Sequence, residues 1–124
     1  MTQYIGKELI MKHKMHLVDT PYKLIESGEK TIELRVNDEK RRLIKPGDSI
    51  IFINRSTSET LETKVENVYK FDSFKELYKN FDKKCMGYLE GEDANPEDME
   101  QHYSKEEQEK YGVVAIEISV KGKV

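Results

Sequence analysis

The sequence predicts an α+β fold, a small and mostly antiparallel β-barrel with short helices packed beside it. At 124 residues, of which 36% are hydrophobic, the chain is long enough for one domain with its own core. Several segments alternate apolar and polar residues with the period of a strand. These segments are close in sequence and often joined by turns, which favours antiparallel neighbours, and closing the sheet into a barrel would remove its exposed edges.

The first part of the chain divides at residue 13. Residues 1–12 carry apolar side chains at helical spacing and are predicted to form an N-terminal arm or a short helix, and residues 13–124 form the domain. A first strand is predicted over 13–18. Thr20 as the N-cap and Pro21 as the first helical residue then predict a helix that Gly28 ends.

A central strand follows over residues 31–37, where every second residue is apolar. The apolar set is expected to face the core. Thr31, Glu33 and Arg35 then project together from the opposite face, and Lys30 lies where the chain enters the strand. The pattern therefore predicts a group of charged side chains on one rigid element.

The remaining elements carry clear boundary signals. Pro46 and Gly47 predict a type II turn before a buried strand over 49–53. The other predicted elements are a long strand over 61–71, a helix over 74–81 that Ser73 caps, a loop over 82–95, a short helix after Asn95-Pro96, a helix between the Ser104/Glu107 capping box and Gly112, and a closing strand over 114–120.

The composition of the sequence limits the classes of function that the protein can have. The net charge of −3 argues against a protein that coats nucleic acid through overall basicity, but it allows a local basic patch. The single Cys85 and the lack of a signal region or a long apolar stretch predict a cytoplasmic protein with no membrane segment. No metal-ligand spacing and no glycine-rich phosphate loop occur, so neither a metal nor another cofactor is expected.

The run Gly28-Glu29-Lys30-Thr31-Ile32-Glu33-Leu34-Arg35 resembles the signature of the ASCH domain family. The segments over 44–50 and 103–116 also resemble parts of that family, in the same order, and the resemblance covers roughly residues 13–120. It implies a PUA-like β-barrel with a cleft near the motif. It also implies that the partner is RNA or a nucleotide or nucleoside ligand.

Within the motif, Arg35 can bind a phosphate or carboxylate through two hydrogen bonds, and Lys30 can hold a phosphate or act as a base. Glu33 can accept from the amino group of a base or orient the lysine. The alternative interpretation is a structural one, in which Glu33 and Arg35 form an ion pair on a solvated strand face. The complete set of predicted ligand-binding residues is Lys30, Thr31, Glu33, Arg35, Arg55, Tyr103 and Tyr111, with the two tyrosines as stacking platforms.

The basic loop Lys40–Arg42 either funnels a polyanion toward the motif or is simply a soluble loop tip. An adaptor that binds protein through the acidic segment over 90–109 is one option, although no specific feature supports it, and two more specific classes of function remain open. The first is an RNA-binding or nucleotide-binding module.

The second class is a small hydrolase in which Lys30 and Glu33 are catalytic. Some ASCH proteins resemble this chain and hydrolyse N4-acylated cytidine, pairing the motif lysine with a threonine three residues later. Glu33 stands at that position here. A ribonuclease is a further option within this class.

Overall fold

The computed structural model describes residues 2–5 and 8–124. The described strands form a six-stranded sheet in the order β1-β2-β4-β5-β6-β3. Strands β2 and β4 run parallel, and every other pair of neighbours is antiparallel, which confirms the predicted α+β class. The strands are β1 (Thr2–Ile5), β2 (Glu8–Leu17), β3 (Ile32–Val36), β4 (Ser49–Asn54), β5 (Thr60–Phe71) and β6 (Val113–Lys123).

Three short α-helices join these strands: α1 (Asp19–Glu26), α2 (Phe74–Tyr78) and α3 (Lys105–Tyr111). Two 3₁₀ helices cover Arg41–Leu43 and Pro96–Gln101. The capping box at the start of α3 is present, because the Ser104 hydroxyl accepts from the Glu107 amide and the Glu107 carboxylate accepts from the Ser104 amide. None of the helices in the described part of the chain is long and apolar enough to cross a membrane.

Of the two predictions for residues 1–12, an arm or a short helix, the short helix is wrong where the structure describes this segment. Residues 2–5 and 8–11 pair as antiparallel strands rather than as a helix, and residues 1, 6 and 7 lie outside the described residues. Strand β2 continues to Leu17 because its second half pairs with β4, a partner that local sequence does not reveal. Thr20 is also not a cap, since α1 begins at Asp19.

The sheet curls into a half-barrel and does not close. Strand β3 ends the sheet and pairs with β6, and in the described chain no backbone ladder joins β3 to β2. The Arg35 side chain spans this open seam instead, because its Nη2 donates to the backbone oxygen of His16 at 3.3 Å. The expectation that barrel closure removes all sheet edges is therefore wrong at β3.

Two apolar clusters lie on the two faces of β3 and its neighbour β6. Ile32 and Leu34 pack into an outer cluster beneath α2 and the late loops, with Phe74, Leu77 and Met86 among its members. Glu33 lies opposite Ile116, and Arg35 lies opposite Val114, both members of the inner cluster against α1. Because directly opposed residues share a face of the sheet, Glu33 and Arg35 point into the half-barrel and not toward bulk solvent.

Candidate functional site

Glu33 is the centre of a buried ion triad. Its side chain is 3% exposed, and Lys30 Nζ lies 2.9 Å from Oε1. Arg35 donates to Oε2 from Nε at 2.9 Å and from Nη2 at 2.7 Å. Two cations therefore share one carboxylate in a place where water is largely excluded, which differs from the solvated surface pair of the structural interpretation.

The triad shifts the pKa values of its members. Burial acts to raise the pKa of Glu33, but the charges of Lys30 and Arg35 outweigh it and lower that pKa to about 2. Burial acts to lower the pKa of Arg35, and Glu33 followed by Tyr103 outweighs this and raises it. Glu33 is therefore ionised throughout the neutral range, and a carboxylate with such a pKa and both oxygens occupied is a poor general base.

Lys30 is held by backbone contacts on both sides. Its amide donates to Leu24 O of α1 at 2.9 Å, and the next two amides both donate to Cys85 O. Gly87 has φ +99°, and a Cβ built on it would lie 2.9 Å from Lys30 Cδ. The loop over 83–87 therefore packs directly on the stem of Lys30, and a side chain at position 87 would displace it.

The triad forms part of the lining of a cleft of about 430 Å³ at the seam between β2 and β3. Leu17 and Leu34 are buried in its wall at 7% exposure, whereas Val18 at its rim is 59% exposed. Arg55 follows β4 and reaches the cleft because its amide donates to Leu17 O. The residues that line this cleft are His16, Leu17, Val18, Pro21, Lys30, Glu33, Leu34, Arg35, Arg55, Met99, Gln101, His102 and Tyr103.

Tyr103 lies on the wall of the cleft that the late helices provide. One side of its ring stacks on Phe74, with centroids 6.3 Å apart and planes at 24°. Tyr103 also acts, after Glu33, to raise the pKa of Arg35. Tyr103 can therefore offer a polar group and a ring edge to a ligand, while Phe74 occupies one of its faces.

Five of the seven predicted site residues line the cleft, namely Lys30, Glu33, Arg35, Arg55 and Tyr103. The structure does not bring Thr31 or Tyr111 to it. Thr31 precedes the strand and lines a separate cavity with Ile118, at the end of α1. Tyr111 lies at the far end of α3 beside Arg42, so the basic loop also lies away from the cleft lining.

Sequence reasoning missed several residues of the cleft. His16 falls within the predicted first strand and His102 is an isolated histidine, so neither is predicted as a site residue, and the 3₁₀ segment that carries Met99 and Gln101 is predicted only as a short helix. The exposed positions of β2 alternate through Lys14 and His16, so a period-two reading of that strand marks His16 as pointing away from the core. The other residues arrive from distant segments and carry no local signal.

The arrangement favours an anionic ligand. Lys30 directs one of its three ammonium hydrogens to Glu33, and the hydrogen bonds that the structure describes for Arg35 run from Nε and Nη2 to Glu33 and His16, so both cations have further N–H groups that can donate to a ligand. Over the part of the chain that the structure describes, no group of His, Cys, Asp and Glu could hold a metal ion. The buried part of the cleft therefore presents an ion triad with one net positive charge over an apolar wall.

The curled, mostly antiparallel sheet, its short helices and the cleft at the open seam define a small α+β domain of the PUA-like kind. The model of the ASCH domain matches residues 15–121. The chain therefore belongs to the ASCH domain family, as its motif around Lys30 and Arg35 predicted.

Solved structures have a similar fold. The crystal structure of hypothetical protein PH0355 is 39% identical, with a TM-score of 0.71, over 89% of this chain and 99% of that one. The solution NMR structure of protein PF0455 from Pyrococcus furiosus is 35% identical, with a TM-score of 0.65, over 90% of this chain and 98% of that one. A mutant of ZmASCH from Zymomonas mobilis is 15% identical, with a TM-score of 0.57, over 90% of this chain and 70% of that one, and this likeness concerns the fold alone. No curated protein matches the chain.

Proposed function

We propose that this ASCH domain binds a nucleotide or a short RNA ligand in the cleft. The observation that carries the proposal is the buried triad, in which Lys30 and Arg35 share the single carboxylate of Glu33. The remaining donors on the two cations suit phosphate oxygens, which accept charge-assisted hydrogen bonds. Glu33 then acts as a positioning residue, because it holds both cations in place.

The rest of the cleft suits the base and sugar of such a ligand. Leu17, Val18, Pro21 and Met99 provide apolar contact area beside the cations. The volume of about 430 Å³ lies toward the lower end of the range of small-molecule sites, about 300 to 1,000 Å³, and suits a single nucleotide unit. Because the whole chain carries a net charge of −3, we expect binding to depend on these local contacts and to weaken with salt.

Hydrolysis of an N4-acylated cytidine or of RNA is a less favoured alternative. The position three residues after Lys30 holds Glu33 in place of a threonine. Both carboxylate oxygens of Glu33 are engaged by cations, and its pKa is lowered to about 2. These features support a role in holding Lys30 and Arg35 and weigh against a role in activating water.

The test is a titration of the purified protein with cytidine 5′-monophosphate and a mixed short RNA at about 50 and 200 mM salt, where screening differs. We expect binding at low salt that weakens at least tenfold in Arg35→Lys, which removes the planar guanidinium. Lys75→Gln is the matched control, because it removes one exposed positive charge on α2, outside the cleft. Undetectable binding of both ligands at both salt concentrations would overturn the proposal. Turnover of N4-acetylcytidine that Lys30→Ala abolishes would identify an amidohydrolase instead.

A further inference from the structure

The depth of the two cations limits which part of a nucleic acid can reach them. The side chain of Lys30 is 10% exposed and that of Arg35 is 14% exposed, whereas Arg55, Gln101 and His102 lie exposed at the rim. An internal phosphodiester has a sugar on each side, and both would have to enter the cleft with it. A phosphate at the end of a chain protrudes from its sugar and can reach Lys30 and Arg35 alone.

The net charge of the cleft also favours a phosphate at the end of a chain. Lys30 and Arg35 against Glu33 leave one net positive charge in the buried part, and Arg55 adds a second at the rim. A phosphomonoester carries a charge of about −1.5 to −2 at pH 7, because its second pKa is about 6. An internal phosphodiester carries one negative charge. The monoester therefore matches the two uncompensated positive charges, and the diester does not.

We infer that the cleft selects a terminal phosphate, carried by a free mononucleotide or by an RNA end, over a nucleoside or an internal phosphodiester. This inference rests on the proposed nucleotide binding and specifies the group that the site recognises. Lys30 and Arg35 hold the phosphate oxygens, Arg55 compensates the second charge, and the apolar wall contacts the adjoining nucleoside.

The experiment compares ligands on the wild-type protein, so it does not depend on a variant that folds. Cytidine 5′-monophosphate is expected to bind at least tenfold more tightly than cytidine, and inorganic phosphate is expected to compete with it. Hexauridylates with a 5′-phosphate, with a 3′-phosphate, with hydroxyls at both ends, and in circular form then separate the sources of the group. A phosphorylated linear hexamer is expected to bind at least tenfold more tightly than the hydroxyl and circular forms.

The outcomes separate the inference from the proposed function. Equal affinity for the circular, hydroxyl and phosphorylated hexamers, together with equal affinity for cytidine and its monophosphate, would overturn the terminal-phosphate inference and leave nucleotide binding in place. No binding of any ligand would overturn both. A preference for the monophosphate alone, with all hexamers weak, would support the inference and assign the free nucleotide as the source.

Arg55→Gln tests the charge match within the same experiment. It removes a rim charge without disturbing the triad, so we expect the preference for monoester over diester to fall at least threefold. Lys75→Gln is expected to keep the wild-type preference. An unchanged preference in Arg55→Gln would contradict the part of the inference that assigns the second charge to this residue.

Discussion

Two concave regions of the molecule differ in how the cations in them or beside them are paired. The larger one, the Tyr111 groove, measures about 810 Å³ and is lined by Asn37, Lys70, Phe71, Asp72, Glu76, Glu109, Lys110, Tyr111 and Gly112. The smaller one is the cleft, at about 430 Å³. By size alone the groove would be the first candidate for a binding site, but the arginines beside it already have partners within the fold.

Next to the groove, the arginines of the basic loop have partners within the fold. Arg41 pairs with Asp38 at 3.0 Å, and Arg42 donates to Asn37 O at 2.8 Å and lies over the Tyr111 ring at 5.9 Å. In the cleft two cations share one buried carboxylate. The arginines of the loop therefore have local acceptors, whereas Lys30 and Arg35 outnumber the single carboxylate between them.

The largest test of this contrast is the removal of each carboxylate. Glu33→Ala leaves two buried cations without compensation, so we expect a loss of about 3 to 5 kcal/mol in the free energy of unfolding. Asp38→Ala breaks the partly exposed pair with Arg41, and the expected loss is below about 1 kcal/mol. Urea denaturation at neutral pH measures both, and equal losses would mean that solvent screens the triad as it screens the loop.

The pH dependence of stability gives a second test of the triad. The pKa of Glu33 is about 2 in the folded protein and near 4.5 in the unfolded chain, so its contribution is present above pH 4.5 and is lost as the pH falls toward 2. Its size is a few kcal/mol. We expect the free energy of unfolding, measured by urea titration from pH 6 to pH 2, to fall less steeply in Glu33→Gln. Asp19, Glu59 and Glu62 also have lowered pKa values, and they add the same pH dependence to the wild type and to Glu33→Gln. Identical pH dependence of the two proteins would therefore contradict the lowered pKa of Glu33.

The glycine that packs on Lys30 gives a third, smaller effect that reaches the cleft indirectly. Gly87→Ala forces a side chain into a left-handed backbone and against Lys30 Cδ. We expect a loss of about 1 to 2 kcal/mol in stability, and weaker binding of cytidine 5′-monophosphate because Lys30 shifts. Gly91→Ala is the control, since a Cβ there meets nothing within 4 Å. Unchanged binding in Gly87→Ala would show that Lys30 keeps its place without this contact.

The smallest expected effect compares Tyr103, which precedes the N-cap of α3, with Tyr111, the last residue of α3. Tyr103→Phe removes a hydroxyl from the lining of the cleft, and we expect affinity for cytidine 5′-monophosphate to fall a few-fold. Tyr111→Phe changes the groove and is expected to leave that affinity unchanged. Isothermal titration of both variants measures the difference, and a larger loss in Tyr111→Phe would move the site to the groove.

Much of the fold follows from local sequence. The long strand β5, the turn at Gly47 with its φ of +93° and the capping box at Ser104 are local signals, and the structure contains all three. The first half of β2 was missed because its strand character depends on pairing with β1, which lies outside the reach of a periodicity argument.

The candidate site was also predictable only in part, because some of its residues are close together in sequence and others are not. Lys30, Glu33 and Arg35 lie in one short motif, so sequence alone groups them. The burial of Glu33 depends on the register of β3 against β6, which places it beside Ile116 on the inner face. Thr31 was grouped with Glu33 and Arg35 by the alternation of the strand, and Tyr111 was chosen as an aromatic that could stack on a base, but the structure places them at the end of α1 and at the far end of α3.

The attachment of β3 to the sheet has a consequence for how the molecule is made. Its backbone ladder runs to β6, where Ile32 pairs with Glu117 and Val36 with Val113. During synthesis β3 therefore emerges long before β6, and it stays unpaired until β6 has been made. Pairings between segments that are distant along a chain form slowly. The cleft is thus expected to assemble late in folding, and pulse-labelling hydrogen exchange would detect β3 amides gaining protection after those of the β4–β5 hairpin.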